Sequence, residues 1–309
     1  MRRLRVALIS CAVLLASTRD VALAWHDTGH MIVAQIAYLR LTPAAKARVD
    51  ALLIPPPDRR PWIHLCAGGY RAETCEKTYD PITIAVWMDD FRGDSLNESY
   101  APWHYINFRP FFDGVPEASN VTAEPENVLA RINWAVNTLA RVSSYGRREA
   151  EMVGFLYHMV GDVHQPLHAS TRYTAALPEG DSGGNGFRIV GADGRTTNLH
   201  FFWDEAGRAF GADPYPRRAL DQAGRDRILA LANEIMKLHP AESLDWKDLD
   251  PHAWVVESNT LARQFAYAGI KEGETPSKAY TDQAQQVSRK RLATAGYRLA
   301  AVLNAIFVK

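Results

Sequence analysis

Apolar residues recur at three- and four-residue intervals along most of this chain, and this spacing most constrains its fold. One run contains Val128, Ile132 and Leu139, and similar runs cover residues 31–37 and 287–306. Residues at this spacing share one face of an α-helix. The sequence therefore predicts a mainly α-helical protein.

Helix starts and a short β element can also be placed. Thr42-Pro43 and Asp80-Pro81 each put a capping residue before a proline at the first helical position. The glycine-rich stretch 180–197 predicts a short β-hairpin or a long loop. The chain is 47% hydrophobic and contains no internal repeat or low-complexity linker, so we expect one helical domain over residues 25–309.

The first 24 residues have the pattern of a secretory signal peptide. Three arginines precede an apolar run over residues 6–16, and Ala22 and Ala24 provide a small-x-small cleavage site. The run is shorter than the roughly 20 apolar residues that span a bilayer. We therefore expect residues 1–24 to be removed before Trp25 and the mature protein to be secreted or periplasmic.

The charge balance excludes one class of function. The chain has 35 basic and 35 acidic residues, and removing the signal peptide takes away four arginines and one aspartate, which leaves 31 and 34, a net charge of −3. Non-specific duplex binding depends on neutralising many phosphates with Lys and Arg. Chemistry on a phosphate would need positive charge from another source.

The cysteines suggest a disulfide bond. Of the three, Cys11 lies in the predicted signal peptide, and Cys66 and Cys75 remain. An even pair in an exported protein favours a disulfide between them. The alternative, a cysteine-based zinc site, lacks a second pair of thiols.

Histidine and aspartate occur together in helical stretches. His158 and Asp162, and likewise His200 and Asp204, are four residues apart, which places each pair on one helix face. Such pairs alone are more often simple hydrogen bonds or ion pairs.

Further polar residues strengthen a metal-site interpretation. His168 follows a proline that ends the helix containing His158, while Asp89 and His104 are embedded among large apolar residues. Buried ionisable groups need partners, and a divalent cation satisfies several at once. Imidazole and carboxylate donors suit zinc better than magnesium or calcium. Spacing alone does not give the number of ions.

These residues resemble the class I nucleases, the secreted zinc-dependent single-strand nucleases of the S1/P1 type, which are distantly related to bacterial zinc-dependent phospholipase C. The resemblance implies the helical fold shared by these two groups of enzymes. The matching segments are Trp25-His-Asp-Thr-Gly-His30, Trp87-Met-Asp89 with Arg92, His104-Tyr-Ile-Asn107, the stretch from His158 to His168, and Asn198-Leu-His-Phe-Phe-Trp-Asp204.

The resemblance implies three zinc ions. The implied ligand sets are Asp89, His104 and His158 for one ion; the α-amine and carbonyl of Trp25 with His30 for a second; Asp162 as a bridge between these two; and His168, His200 and Asp204 for the third. Because Trp25 has an α-amine only after cleavage, removal of the signal peptide would complete the site.

Roles in catalysis are implied in the same way. Asp89 would assist the attacking water and Arg92 would stabilise the charged transition state. Tyr105, Asn107 and Asn198 would contact the substrate, with Tyr105 stacking on a nucleobase. For Tyr105 a place in the core is an equally good interpretation.

The implied function is hydrolysis of single-stranded DNA and RNA to 5′-phosphate products, with 3′-nucleotidase activity as an addition and no stable protein partner. One alternative is a phospholipase C-type phosphodiesterase, against which stand the five-residue step from Trp25 to His30 and an aspartate at position 204. Another alternative is a non-catalytic exported binding protein with structural His/Asp pairs.

Overall fold

The protein is described here from a computed structural model, which describes residues 25–54, 80–91, 99–117, 123–142, 144, 146–211 and 220–308. These residues are mostly helical, as the apolar spacing predicts. The α-helices are α1 (Asp27–Leu39), α2 (Pro43–Leu53), α3 (Val128–Leu139), α4 (Arg147–Asp162), α5 (Leu199–Asp204), α6 (Gln222–Leu238), α7 (Pro251–Leu261) and α8 (Lys278–Phe307).

Shorter elements connect these helices. Among the described residues, four β-strands form two small sheets: β1 (Phe111–Phe112) pairs in parallel with β2 (Arg172–Tyr173), and β3 (Arg188–Val190) pairs antiparallel with β4 (Thr196–Asn198). The 3₁₀-helical segments are Thr83–Phe91, Ala101–His104, Pro166–Ala169, Ala206–Arg208 and Ala241–Ser243, and a π-helical turn, Ala262–Ala266, follows α7.

The helix starts follow local chemistry. Thr42 accepts a hydrogen bond from the amide of Ala45 and precedes Pro43, which confirms the predicted start of α2. Asp80 likewise accepts bonds from the amides of Ile82 and Thr83, but the helix that follows is 3₁₀ rather than α. The predicted β-hairpin is also present, as β3 and β4.

The core lies where α1, α4 and α8 pack together. Helix α1 is buried around most of its circumference, as expected for a helix with apolar residues on more than one face. Its main neighbour is the 30-residue helix α8, and it also packs on α4, α6 and the Thr83–Phe91 segment. This packing holds the carboxyl-terminal part of α4 in the centre of the protein.

In the described part of the chain, no helix combines the length and apolar character needed to cross a bilayer. The predicted signal peptide, Cys66 and Cys75 lie outside the described residues. Cleavage of the signal peptide and the disulfide between Cys66 and Cys75 therefore stay predictions.

The contact between α1 and α8 gives a test of this packing. A Cβ atom at Gly296 would lie 2.5 Å from Cγ2 of Ile36, far inside van der Waals contact. We expect Gly296→Ala to lower the free energy of unfolding by about 1–3 kcal/mol, because overpacking outweighs the gain in helix propensity. Denaturant unfolding measures this change.

Gly224→Ala in α6 is the matched control. There the nearest atom to an added Cβ is the end of the Leu220 side chain, at 3.0 Å, which can move. The control should be neutral or slightly stabilising. An equal stability of wild type and Gly296→Ala would contradict the close packing.

Candidate metal centre

In the described part of the chain, buried histidine and aspartate side chains form three groups, and within each group the candidate donor atoms lie within 4.8 Å of one another. The side chains come from separate parts of the chain, and all are buried. The groups are His30, His158 and Asp162; Asp89, His104 and His158; and His168, His200 and Asp204.

Helix geometry and chain turns bring these residues together. His158 and Asp162 lie one turn apart on α4, and His200 and Asp204 have the same relation on α5. Asp89 and His104 lie in 3₁₀ segments, and His168 lies in the 3₁₀ segment that begins at Pro166. His30 comes from the first turn of α1.

Backbone carbonyls orient the third group. Nδ1 of His168 donates to the carbonyl of His104 at 2.6 Å, and Nδ1 of His200 donates to the carbonyl of Gly183 at 2.6 Å. Each Nε2 is then a lone-pair donor, and the two Nε2 atoms face each other at 3.1 Å. Two lone pairs so close repel unless a proton or a cation lies between them.

His158 is fixed in the same way. Its Nδ1 donates to the carbonyl of Ala85 at 2.6 Å, so Nε2 points into the centre. Nε2 lies 2.9 Å from Nδ1 of His104, 3.1 Å from Oδ2 of Asp162 and 3.5 Å from Oδ1 of Asp89. Such outer hydrogen bonds are the usual way in which proteins set the tautomer of a metal-binding histidine.

His30 is fully buried, yet among the described residues neither ring nitrogen has a hydrogen-bond partner. Its Nε2 lies 3.3 Å from Oδ1 of Asp162, which is also without a hydrogen bond in the described part of the protein. The ring stacks on His158 with 4.1 Å between centroids. Orphaned buried donor atoms of this kind need a ligand.

The pKa values of the donor side chains are shifted in different directions by burial and by neighbouring charges. Burial, helped by the charge on His158, lowers the pKa of His30 to about 4, and burial also lowers the pKa of His104. For His158 burial is outweighed by the carboxylates of Asp162 and Asp89, which raise its pKa to about 9. Burial would raise the pKa of Asp162, but His158 and the hydrogen bonds of the surrounding histidines hold it well below its usual value. His30 and His104 are therefore neutral at physiological pH, and Asp162 is ionised.

Zinc fits this donor set. Zinc prefers imidazole nitrogen and carboxylate oxygen in tetrahedral arrangements, and bond lengths of about 2.0–2.1 Å separate neighbouring ligand atoms by about 3.3 Å. The distances of 2.9 to 3.5 Å around Nε2 of His158 agree with such a spacing. The fit rests on these distances and on the orphaned atoms of His30 and Asp162.

Trp25, a predicted metal ligand, lies beside the candidate metal centre. Its side chain is fully buried, and Nε1 donates to the carbonyl of Gly161, the residue before Asp162. The next amide, from His26, donates to the carbonyl of Asp204 at 3.1 Å. The start of the described chain is therefore held against segments of two donor groups.

The predicted substrate residues have clear local roles. Asn107 donates from Nδ2 to Glu124 at 2.5 Å, and Tyr105 is half-buried with a pKa raised by burial and by Glu124. Asn198 caps α5 by accepting the amide of Phe201 at 2.7 Å, so its carbonyl oxygen has a structural function. Arg92 lies outside the described residues.

Sequence reasoning missed two residues that shape the centre. Gln165 is fully buried and donates from Nε2 to Oδ1 of Asp204 at 2.7 Å, which orients that carboxylate. Gly161 lets His30 approach α4, because a Cβ there would lie 2.8 Å from Nδ1 of His30. Both lie within the stretch from His158 to His168, but only proximity in space reveals their roles.

A mainly helical chain that buries these adjacent groups of imidazole and carboxylate donors has the fold and the candidate donor groups of the class of helical metalloproteins. Within that class, the chain belongs to the S1/P1 nuclease family, whose model matches residues 25–308. This confirms the family resemblance. The protein is therefore an enzyme, a hydrolase that acts on phosphodiester bonds of nucleic acid, in a family that is zinc-dependent.

Individual relatives agree with the family. Nuclease S1 of Aspergillus oryzae is 28% identical over 240 residues, covering 72% of this chain and 78% of its own length. Endonuclease 3 of Arabidopsis thaliana is 28% identical over 306 residues, covering 98% and 96%. Nuclease P1 of Penicillium citrinum is 25% identical over 301 residues, covering 91% and 97%.

The close approach at Gly161 leads to a prediction. Gly161→Ala should push the His30 ring away from Asp162, because the new Cβ would overlap Nδ1 of His30. We expect zinc affinity, measured by competition with a chelator, to fall at least about tenfold. Gly224→Ala, far along the chain in α6, should keep the affinity of the wild type, and an unchanged affinity in Gly161→Ala would contradict this account of His30.

Proposed function

We propose that this protein is a zinc-dependent endonuclease that hydrolyses single-stranded DNA and RNA to 5′-phosphate products, with 3′-nucleotidase activity as a second reaction. The observation that carries the proposal is the buried set of histidine and aspartate donors in a chain of the S1/P1 nuclease family. Relatives named nuclease and endonuclease support it.

Three zinc ions are proposed. Asp89, His104 and His158 would hold one, and the amine and carbonyl of Trp25 with His30 would hold a second, with Asp162 shared between them. A third would lie among His168, His200 and Asp204. Zinc bound there would polarise the phosphate as a Lewis acid and would lower the pKa of a water molecule toward neutrality, so that a nucleophile is available at neutral pH.

The side chains of the protein would position the reacting groups. Asp89 is only 4% exposed and its Oδ1 lies 3.5 Å from His158. In the proposal this carboxylate orients the attacking water and accepts its proton. Arg92, three residues further along, would donate hydrogen bonds to the phosphate as negative charge develops on it.

Recognition of the base would use the segment after His104. Tyr105 would stack on a nucleobase, which tolerates any sequence. Asn107 is held through its amide nitrogen by Glu124, so its carbonyl oxygen would accept a hydrogen bond from a base edge. Asn198 would contribute its amide nitrogen, since its oxygen caps α5.

Residues 25–309 would form one nuclease domain that is exported after removal of residues 1–24, with a disulfide between Cys66 and Cys75. The match of the family model to residues 25–308 supports these boundaries. Among the observations on the described residues, none favours the phospholipase C alternative, and the named relatives are nucleases or endonucleases.

The first test measures zinc and activity together. Protein that begins at Trp25 should contain about three zinc ions per chain by elemental analysis and should cleave single-stranded DNA and RNA. A chelator should abolish cleavage, and added zinc should restore it. Zinc-loaded protein that leaves both nucleic acids intact, or that cleaves phosphatidylcholine instead, would contradict the proposal.

A second test concerns the proposed amine ligand. Adding one residue before Trp25 converts its α-amine into an amide, whose nitrogen lone pair is delocalised into the carbonyl group and is a poor metal ligand. We expect the extended protein to lose about one zinc ion per chain and most of its activity. The control is the same preparation after proteolytic removal of the extra residue, which should recover both.

The extended protein would disprove the role of the amine if it kept the zinc content and activity of the trimmed control. The comparison holds the remaining sequence constant. Any difference therefore comes from the terminus itself.

A further inference from the structure

Two chain segments that carry donor histidines run side by side through the centre. One follows His104 and leads into β1, and the other follows His168 and leads into β2. They are joined at His168, whose Nδ1 donates to the carbonyl of His104 at 2.6 Å and whose carbonyl accepts from the amide of Ile106 at 2.8 Å. The spacing of these segments therefore sets the distance between two donor groups.

The pairing of the two segments is interrupted. The next backbone bond of the ladder joins the amide of Phe111 to the carbonyl of Thr171 at 2.9 Å. One segment advances five residues between these bonds and the other only three, so the first contains a two-residue bulge. Arg109, in the bulge, has a φ of 40°, which is unusual for a residue other than glycine.

Asn259, on α7, closes the gap that the bulge opens. Its Nδ2 donates to the carbonyl of Phe108 at 2.6 Å and to the carbonyl of Ala169 at 2.9 Å. These two carbonyls belong to the two different segments. Asn259 is 5% exposed, so the bridge is largely shielded from water.

A neighbouring arginine holds Asn259 in this orientation. Nε of Arg263, one turn further along, donates to Oδ1 of Asn259 at 3.3 Å, which fixes the amide with its nitrogen toward the carbonyls. Arg263 also donates to the carbonyls of Arg109 and Pro110. The three consecutive carbonyls of the bulge are thus satisfied by two side chains from one helix and the turn that follows it.

The strained backbone at Arg109 and the buried side chain of Asn259 that bridges this bulge suggest a role beyond stability. Unfavourable backbone conformations persist where surrounding contacts enforce them, and they cluster at functional sites. Bulges beside active sites commonly re-aim side chains. Here the bulge begins four residues after His104, and the bridge meets the residue directly after His168.

We propose that Asn259 is a positioning residue that fixes the separation of His104 and His168, and through it the zinc affinity and turnover of the enzyme. The inference rests on the proposed zinc nuclease function. Asn259, a polar residue of α7, would thereby set the geometry of two donor groups although it is not itself a member of either group.

Asn259→Asp is the decisive variant, because it keeps the shape of the side chain and replaces the donating nitrogen with oxygen. That oxygen would face two carbonyl oxygens that have lost their donor. In folded protein we expect zinc affinity to fall about tenfold to a hundredfold by chelator competition. With zinc saturating, kcat on a single-stranded oligonucleotide should fall while KM changes less than about twofold.

Thr260→Val is the matched control. Thr260 is the next residue of the same helix and is exposed, and within the described structure its hydroxyl donates to the carbonyl of Val256 in its own helix. The zinc affinity, kcat and KM of the Thr260→Val variant should equal those of the wild type. The melting temperature of zinc-free protein is measured for both variants, so that loss of stability is separated from loss of positioning.

A purely structural Asn259 would give a different result. Asn259→Asp would then lower the melting temperature of the zinc-free protein but leave zinc affinity and kcat of the folded protein within twofold of wild type, and this outcome would overturn the proposal. If wild-type protein itself bound no zinc and cut no nucleic acid, the proposed function would fail instead.

A second variant covers the case in which Asn259→Asp does not fold. Arg263→Met keeps an exposed aliphatic side chain but removes the donor that orients Asn259. Zinc affinity should fall by at least about threefold. An affinity equal to that of wild type in this variant would also overturn the proposal.

Discussion

The contact between α1 and α4 at Gly161 is the one on which the rest of the centre depends. Without a side chain at Gly161, the ring of His30 lies against α4 and stacks on His158. The indole of Trp25 is tied to the carbonyl of the same residue. One glycine therefore brings the beginning of the described chain and the end of α4 together, and the donor atoms of Asp162 lie where the two meet.

Behind this contact, the turn that links α4 to His168 is held by charge. Glu257 pairs with Arg291 and Arg298, and Arg291 donates to the carbonyl of His164 at 3.1 Å while Arg298 contacts its ring at 3.0 Å. Both arginines are buried whereas Glu257 is partly exposed, so removing Glu257 would leave two buried positive charges without this carboxylate, which destabilises a protein. The turn is thus fixed from α7 and α8, while its other side faces the donor groups.

Much of the fold and part of the site could be predicted from the sequence, because both have local signatures. Helical spacing, the Thr42 cap and the hairpin follow from neighbouring residues. The pairing of His158 with Asp162 follows from one turn of helix. The grouping of donors did not follow from spacing, and it came from the family resemblance. Asn259 could not be found at all, because its partners lie about 90 and 150 residues away and a polar residue in a helix has no distinguishing pattern.

The position of α8 in the chain has a consequence for the order of events during synthesis. This helix comes late in the chain, at residues 278–307, yet it is the main packing partner of α1 and supplies Arg291 to the turn before His168. A growing chain that had not yet emerged as far as residue 291 would hold most of the donor side chains without the support that orders them. The buried surroundings of the donor groups are therefore complete only once residues 278–307 have been synthesised, which makes the ordering of these side chains a late event in folding.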